Sequence, residues 1–266
     1  MKVLCSNDDG IYAPGLRTLA NQMQSFGEVR VVAPATEQSG VGHAITYLTP
    51  LTCKRIHRDG KFWGIAVDGS PADCVKLAVA ELFADDPVDV VVSGINHGLN
   101  AGINVLYSGT VAAAIEGAFF GHTSIAVSLE YDEDADFEAA AEIARPIIAK
   151  IIEDRSCRGG LFNINVPTAA TRIHRRKKRV PIATVPMGLA QYGRSYESRT
   201  DPGGKPYYWA LWTPPPPSSD PQSPEHPDQD ADIDKLSEGF VTVTPLSFDM
   251  THRERLNRMS QWFSIG

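Results

Sequence analysis

Asp8 and Asp9 stand side by side in the run Ser6-Asn7-Asp8-Asp9-Gly10-Ile11-Tyr12-Ala13-Pro14-Gly15, where the apolar stretch Val3-Leu4-Cys5 gives way to polar residues. Two neighbouring ionised aspartates repel each other, and partial burial raises the cost, so the pair requires a cation or several donors to compensate it. A hard divalent metal does this with one ion. The competing reading is local: one aspartate caps the helix that Pro14 opens, whose face carries Leu16, Leu19, Ala20 and Met23.

Three more polar segments follow strand-like sequence: Glu37-Gln38-Ser39-Gly40, the stretch from Asn96 to Asn104, and Tyr107-Ser108-Gly109-Thr110 at a helix start. Two carboxylates joined by hydroxyl and amide oxygens suit Mg²⁺, Mn²⁺ or Ca²⁺ rather than zinc. Ser108, Gly109 and Thr110 offer hydroxyls and free N–H groups at a helix N-terminus, where an anion such as phosphate is favoured, although helix capping alone explains the same residues. The glycines from Gly94 to Asn100 match neither a Walker loop nor a dinucleotide fingerprint, and their asparagines also suit turns.

The elements that would position these groups alternate. Val3 to Ser6 predicts a strand, Pro14 opens a helix, and Val29 to Pro34 predicts a second strand, the rhythm of a doubly wound α/β protein with a mostly parallel sheet. Strands are further expected at Ile45 to Leu48 and Trp63 to Val67. Ser70-Pro71-Ala72-Asp73 reads as a capping box before a helix bearing Val75, Ala78, Val79 and Leu82. The β-branched run from Val88 to Ser93 predicts a buried central strand ending at Gly94. A helix over Thr110 to Phe120, a strand over Ser124 to Ser128, a helix over Phe137 to Asp154 bent at Pro146, and a strand over Phe162 to Val166 complete the alternation. The rhythm then stops. Val180 to Val185, Tyr207 to Trp212 and Phe240 to Thr244 are strand-like, Thr213 to Pro227 is too proline-rich for anything but an exposed loop, and Thr251 to Phe263 suits a terminal helix. This divides the chain into a catalytic core over 1–170 and, over 171–266, a hairpin arm with a C-terminal segment, expected to serve oligomerisation and to return to the core.

A chain of 266 residues is long enough for a large core. Its four cysteines have no CxxC or Cys/His zinc spacing, and with no leader or long apolar run they predict reduced thiols in a cytoplasmic protein without a membrane partner. A net charge of −7 argues against specific nucleic-acid binding. The basic run from His174 to Arg179 is expected to be a solvated loop, or else a surface that attracts an anionic substrate.

At this point the residues resemble a known family, the SurE survival proteins. SNDDGIYAPG, APATEQSG from Ala33 to Gly40, DGSPADCV from Asp68 to Val75, and VSGINHGLNAGINVLYSGTVAAAIEG from Val92 to Gly117 are similar to its successive signatures, and the likeness continues through FNINVP to Thr244-Pro245-Leu246. The resemblance implies a Rossmann-like core and a metal-dependent phosphatase acting on nucleoside 5′- and 3′-monophosphates. It implies one divalent ion per subunit, Mg²⁺ or Mn²⁺ in function with Ca²⁺ as a crystal substitute, held by Asp8, Asp9, Ser39 and Asn96. Phosphate would be received at Asn96, Ser108, Gly109 and Thr110, and Asp8 and Asp9 would be the catalytic pair, with either metal-activated water or Asp8 itself as nucleophile. A dimer or tetramer is implied through the hairpin and C-terminal segments. Neither His43 nor His97 is demanded by the family pattern. Two other functions stay open: hydrolysis of short polyphosphate, and nucleotide sensing without turnover. A haloacid-dehalogenase reading fails because it needs Asp-x-Asp, and here the aspartates are adjacent.

Overall fold

The structure is a computed structural model that describes residues 1–189, 195–211 and 230–263. Its first half runs β1 (Lys2–Ser6), α1 (Pro14–Met23), β2 (Glu28–Pro34), β3 (Cys53–Arg58), β4 (Lys61–Val67), α2 (Pro71–Leu77), β5 (Val90–His97) and α3 (Gly109–Phe119). Then follow β6 (Thr123–Leu129), α4 (Phe137–Glu153), β7 (Leu161–Val166), α5 (Thr168–Arg175), β8 (Ile182–Thr184), β9 (Ser195–Thr200), β10 (Pro206–Leu211), α6 (Asp232–Ser237), β11 (Val241–Leu246) and α7 (Arg253–Ser260).

A nine-stranded sheet has the order β3-β4-β2-β1-β5-β6-β7-β11-β8. β1 lies at its centre, parallel to β2 through Val3↔Val29 and to β5 through Val3↔Val90. From β1 the chain builds outward through β2 and β4, then crosses back to β5 and builds the other way through β6 and β7. That reversal opens a crevice beyond the carboxyl ends of β1 and β5, the usual ligand position in such sheets. β3 at one edge and β11 with β8 at the other run against the remaining strands.

Alternation along the central strands assigns the helices to faces. Val3, Cys5, Val90 and Val92 pack with Leu16, Leu19 and Met23 of α1 and Ile143 and Ile147 of α4. Leu4, Val32 and Val91 point the other way and pack with Cys74, Val75 and Ala78. Full burial pushes the Cys5 thiol up to about 12, so it behaves as a small apolar side chain. The capping box is present: Ser70 Oγ accepts from Asp73 N at 3.0 Å and Asp73 Oδ2 accepts from Ser70 N at 2.9 Å.

Several expectations are corrected. Ile45 to Leu48 is no strand: it is irregular, with Tyr47 and Leu48 exposed, and it pairs with no strand. The strand forms instead at Cys53–Arg58, folded onto β4 through a turn at Asp59 and Gly60 that has φ of 50° and 73°. β5 does not stop at Gly94 but continues to His97, so Asn96 pairs with Ser128 and the loop begins at Gly98. The basic run is only partly a loop, because His174 and Arg175 form the last turn of α5, where His174 meets Glu142 at 2.8 Å and Arg175 meets Asp136 at 2.6 Å. The long helix expected over Phe137 to Asp154 is present as α4, with Pro146 inside it. Trp212 and the stretch from Thr213 to Pro227 lie outside the described residues. Past residue 171, β8 and β11 join the main sheet, whereas β9 and β10 form a separate two-stranded hairpin.

Candidate active site

Asp8 and Asp9, the Ser39 loop, Asn96 and the start of α3 gather at the carboxyl ends of β1 and β5. Asp8 and Asp9 leave β1 directly, and Asp8 is 4% exposed. Gln38 N donates to the carbonyl of Asp8 at 2.7 Å, which brings the Ser39 loop against the pair. The backbone N–H of His97 faces the Asp9 carboxylate, so the end of β5, with Asn96, closes the next side. Helix α3 closes the third: the Thr110 hydroxyl donates to Asp8 Oδ1, and the N–H groups of Gly109 and Thr110 face the same carboxylate.

Gly109 is required sterically. A Cβ there would lie 2.7 Å from Asp8 Cβ and 2.9 Å from Pro71 Cγ, so only glycine lets the helix start approach β1 this closely. Ser108 caps α3, its Oγ accepting from Val111 N at 3.1 Å. The capping reading of this serine therefore holds, and the helix N-terminus is already directed at an anion, the side chain of Asp8.

Burial pushes Asp8 upward, and the donors from Thr110 and Gly109 offset part of that. Asp9 rises from 3.8 to about 6, first through burial, then through the charges of Asp8 and Glu37. Both carboxylates are thus held where ionisation is costly without a compensating positive charge.

A divalent cation fits this donor set. Among the described residues no three His, Cys, Asp or Glu side chains gather into a metal cluster, and the ligands named for the ion, Asp8, Asp9, Ser39 and Asn96, would offer oxygen. Ser39 is exposed and its Oγ donates to Glu37 Oε1 at 2.7 Å. Asn96 Nδ2 donates to the Gly98 carbonyl at 2.7 Å, which leaves the side-chain oxygen as the atom for a cation. The buried Asn7 Oδ1, one residue before the pair, has no partner.

The two histidines are otherwise occupied. His97 Nε2 meets the Asp132 carbonyl at 3.0 Å while its ring stacks on Tyr131, centroids 4.6 Å apart. His43 Nε2 meets Glu116 Oε2 at 2.7 Å.

Sequence reasoning missed the braces behind the site. Asn163 and Asn165 of β7 both donate to the Asn100 carbonyl, at 2.7 and 3.1 Å, and Asn165 Oδ1 accepts from Asn100 N at 2.8 Å. Two buried asparagines alternating on one face of a predicted strand were the available signal. Asp232, fully buried, accepts from Gly102 N at 2.9 Å and from Gly188 N and Ile233 N at 2.8 Å, tying the loop before Ser108 to the C-terminal part of the chain. Nothing local distinguished it, because its partners lie 130 and 44 residues away.

Paired carboxylates facing a helix N-terminus, at the point where a parallel sheet reverses its order, place this chain among doubly wound α/β proteins of the Rossmann-like class with an acidic site at the switch point. Comparison with known proteins narrows the class. A family model described as Survival protein SurE matches residues 3–192. The 5′-nucleotidase SurE of Rhodopirellula baltica is 61% identical over 262 residues, covering 98% of each chain. That of Syntrophobacter fumaroxidans is 41% identical over 265 residues, covering 98% of this chain and 99% of the other. The crystal structure of the SurE protein from Aquifex aeolicus superposes with a TM-score of 0.80 at 31% identity, covering 99% of this chain and all of that one. The chain belongs to the SurE family.

Proposed function

We propose that this chain, a 5′-nucleotidase of the SurE family, hydrolyses nucleoside 5′- and 3′-monophosphates with one Mg²⁺ or Mn²⁺ ion held by Asp8, Asp9, Ser39 and Asn96. The observation that carries this reading is the pair Asp8 and Asp9, the first buried and the second partly buried, both with raised pKa values, with the start of α3 against Asp8. When bound, the ion polarises the phosphoryl group and neutralises charge that develops in the transition state. Thr110 fixes the rotamer of Asp8 through its hydroxyl. Asn96, Ser108, Gly109 and Thr110 would receive the phosphate at this end of α3. His97 aligns the edge of the site through its backbone N–H, while its ring stacks on Tyr131.

Nucleotide is favoured over short polyphosphate because the relatives at 61% and 41% identity are named 5′-nucleotidases, whereas in the basic run only His174, with Glu142, and Arg175, with Asp136, are paired among the described residues. Catalysis is favoured over sensing because the full-length relatives at 61% and 41% identity are named as 5′-nucleotidases. Self-association as a dimer or tetramer is supported by α7, which buries no residue and leaves Leu256 and Met259 exposed, with Trp262 and Phe263 exposed just beyond it. No helix among the described residues is long and apolar enough to cross a membrane, and the four cysteines are free thiols, which suits a cytoplasmic enzyme.

Phosphate release from 5′-AMP, 3′-AMP and short polyphosphate, measured with Mg²⁺, Mn²⁺ or EDTA, tests the proposal. Metal-dependent release from the nucleotides is expected, with polyphosphate slower. Tight AMP binding without release in the presence of either metal would instead establish a sensor.

A further inference from the structure

Helix α3 carries a charge that the proposed reaction does not use. Glu116 is 2% exposed, seven residues beyond Gly109, in a helix otherwise built of small and apolar residues. Its two carboxylate oxygens are taken separately: Oε2 meets His43 Nε2 at 2.7 Å and Oε1 accepts from Lys76 Nζ of α2 at 2.9 Å. Burial pushes this carboxyl up, but the contacts from His43 and Lys76 outweigh it and leave Glu116 below the usual range, hence ionised. An ionised carboxylate only accepts, so His43 Nε2 carries the hydrogen of their bond.

His43 belongs to the loop that carries Ser39. Between the two residues the backbone passes through Gly40 and Gly42, at φ of 71° and 59°, and a Cβ at Gly40 would meet nothing within 4 Å. Such a segment has little to hold it by itself. What holds it lies immediately after: Gly42 N donates to the Tyr107 carbonyl at 3.0 Å, His43 meets Glu116, and the His43 ring packs on Phe119 with centroids 5.2 Å apart. The next anchors are Ser70 Oγ to the Ala44 carbonyl at 2.6 Å and Thr46 N to Asp73 Oδ1 at 2.9 Å. His43 is therefore the first side chain after Ser39 that ties the loop to α3, the helix whose other end presents Ser108, Gly109 and Thr110.

We propose that His43 and Glu116 are positioning residues: their hydrogen bond fixes the Ser39 loop against α3, so that Ser39 is delivered to the cation held by Asp8 and Asp9. This rests on the proposed metal site. It assigns His43 a clamping role in place of proton transfer, and it gives a role to a buried glutamate in a helix otherwise built of small and apolar residues.

The test is calorimetric titration of Mn²⁺ into wild-type, His43→Ala, His43→Gln and Glu116→Ala proteins, with hydrogen exchange followed at amides 38–44. His43→Ala and Glu116→Ala should speed exchange in that segment and weaken Mn²⁺ binding by about 10–100-fold, the range seen when groups that orient metal ligands are removed. His43→Gln keeps an N–H donor and should recover most of the affinity. Saturating Mn²⁺ should restore kcat in His43→Ala, which loss of a proton shuttle would not permit. Unchanged exchange at 38–44 in His43→Ala, or faster exchange with wild-type Mn²⁺ affinity, overturns the positioning role. Wild-type protein that takes up no Mn²⁺ overturns the metal site beneath it.

Discussion

Asn in place of Asp9 should make the metal-free protein more stable. The Asp9 carboxyl has a folded-state pKa of about 6 against an ordinary value of 3.8. Between those values the folded chain holds a proton that the unfolded chain has released, so stability falls as pH rises through the window and levels off above it. A shift of that size corresponds to about 3 kcal/mol at 1.36 kcal/mol per unit, and solvent contact at this half-buried group trims it to roughly 2 kcal/mol. Asp9→Asn removes the charge while keeping the shape. Chemical denaturation in EDTA at pH 7.5 should therefore show the variant more stable by about 2 kcal/mol, or ~4–8 °C in Tm for a chain of this size, with the advantage gone near pH 4. Excess Mn²⁺ should reverse the order, because a ligand present at a hundred times its Kd adds about 2.7 kcal/mol to the protein that binds it. A variant less stable than wild type in EDTA, or a stability difference that stays constant from pH 4 to 7, would refute the claim that Asp9 is held at a cost for the sake of a cation.

Other perturbations reach the site from different sides. Asp8→Asn, checked by circular dichroism to remain folded, should lower kcat/KM for 5′-AMP by at least ~100-fold, the scale of losing a transition-state electrostatic contact. Gly109→Ala drives a methyl group to 2.7 Å from Asp8 Cβ. It should cost about 1–3 kcal/mol by denaturant titration and weaken Mn²⁺ binding, because the atom that must yield belongs to the site. Asp232→Ala strands the N–H groups of Gly102 and Gly188 and should lower stability by ~3 kcal/mol, whereas Asp232→Asn, which keeps one acceptor, should lose less.

The parts of this fold that are legible in the sequence are those fixed by local pattern. Within the predicted strand Val90 to Ser93 is buried on both faces of the sheet, with Asp89 exposed before it, and Ser70 and Asp73 cap a helix as their spacing predicts, because each depends on neighbours within a few residues. The strand at Cys53–Arg58 escaped notice since its sequence, CKRIHR, is polar and mostly exposed at the sheet edge, although the Asp59-Gly60 turn announced a hairpin. The misplaced strand at Ile45 to Leu48 shows the reverse error, β-branched and aromatic residues in a segment that pairs with no strand. At the site, Asp8, Asp9 and the start of α3 could be brought together by reasoning about strand ends in a parallel sheet. The partners that restrain them could not: Glu116 reaches His43 across 73 residues and Asp232 reaches Gly102 across 130. Long-range polar pairing leaves no periodicity in the chain.

The most direct test of the central claim is an anomalous difference map from crystals of this protein soaked in Mn²⁺. A peak between the carboxylates of Asp8 and Asp9, with Ser39 Oγ and the Asn96 side-chain oxygen among its ligands at ordinary metal–oxygen distances, is the predicted result. Strong manganese sites elsewhere with none at this pair, its oxygens still held only by Thr110 and the neighbouring N–H groups, would contradict it.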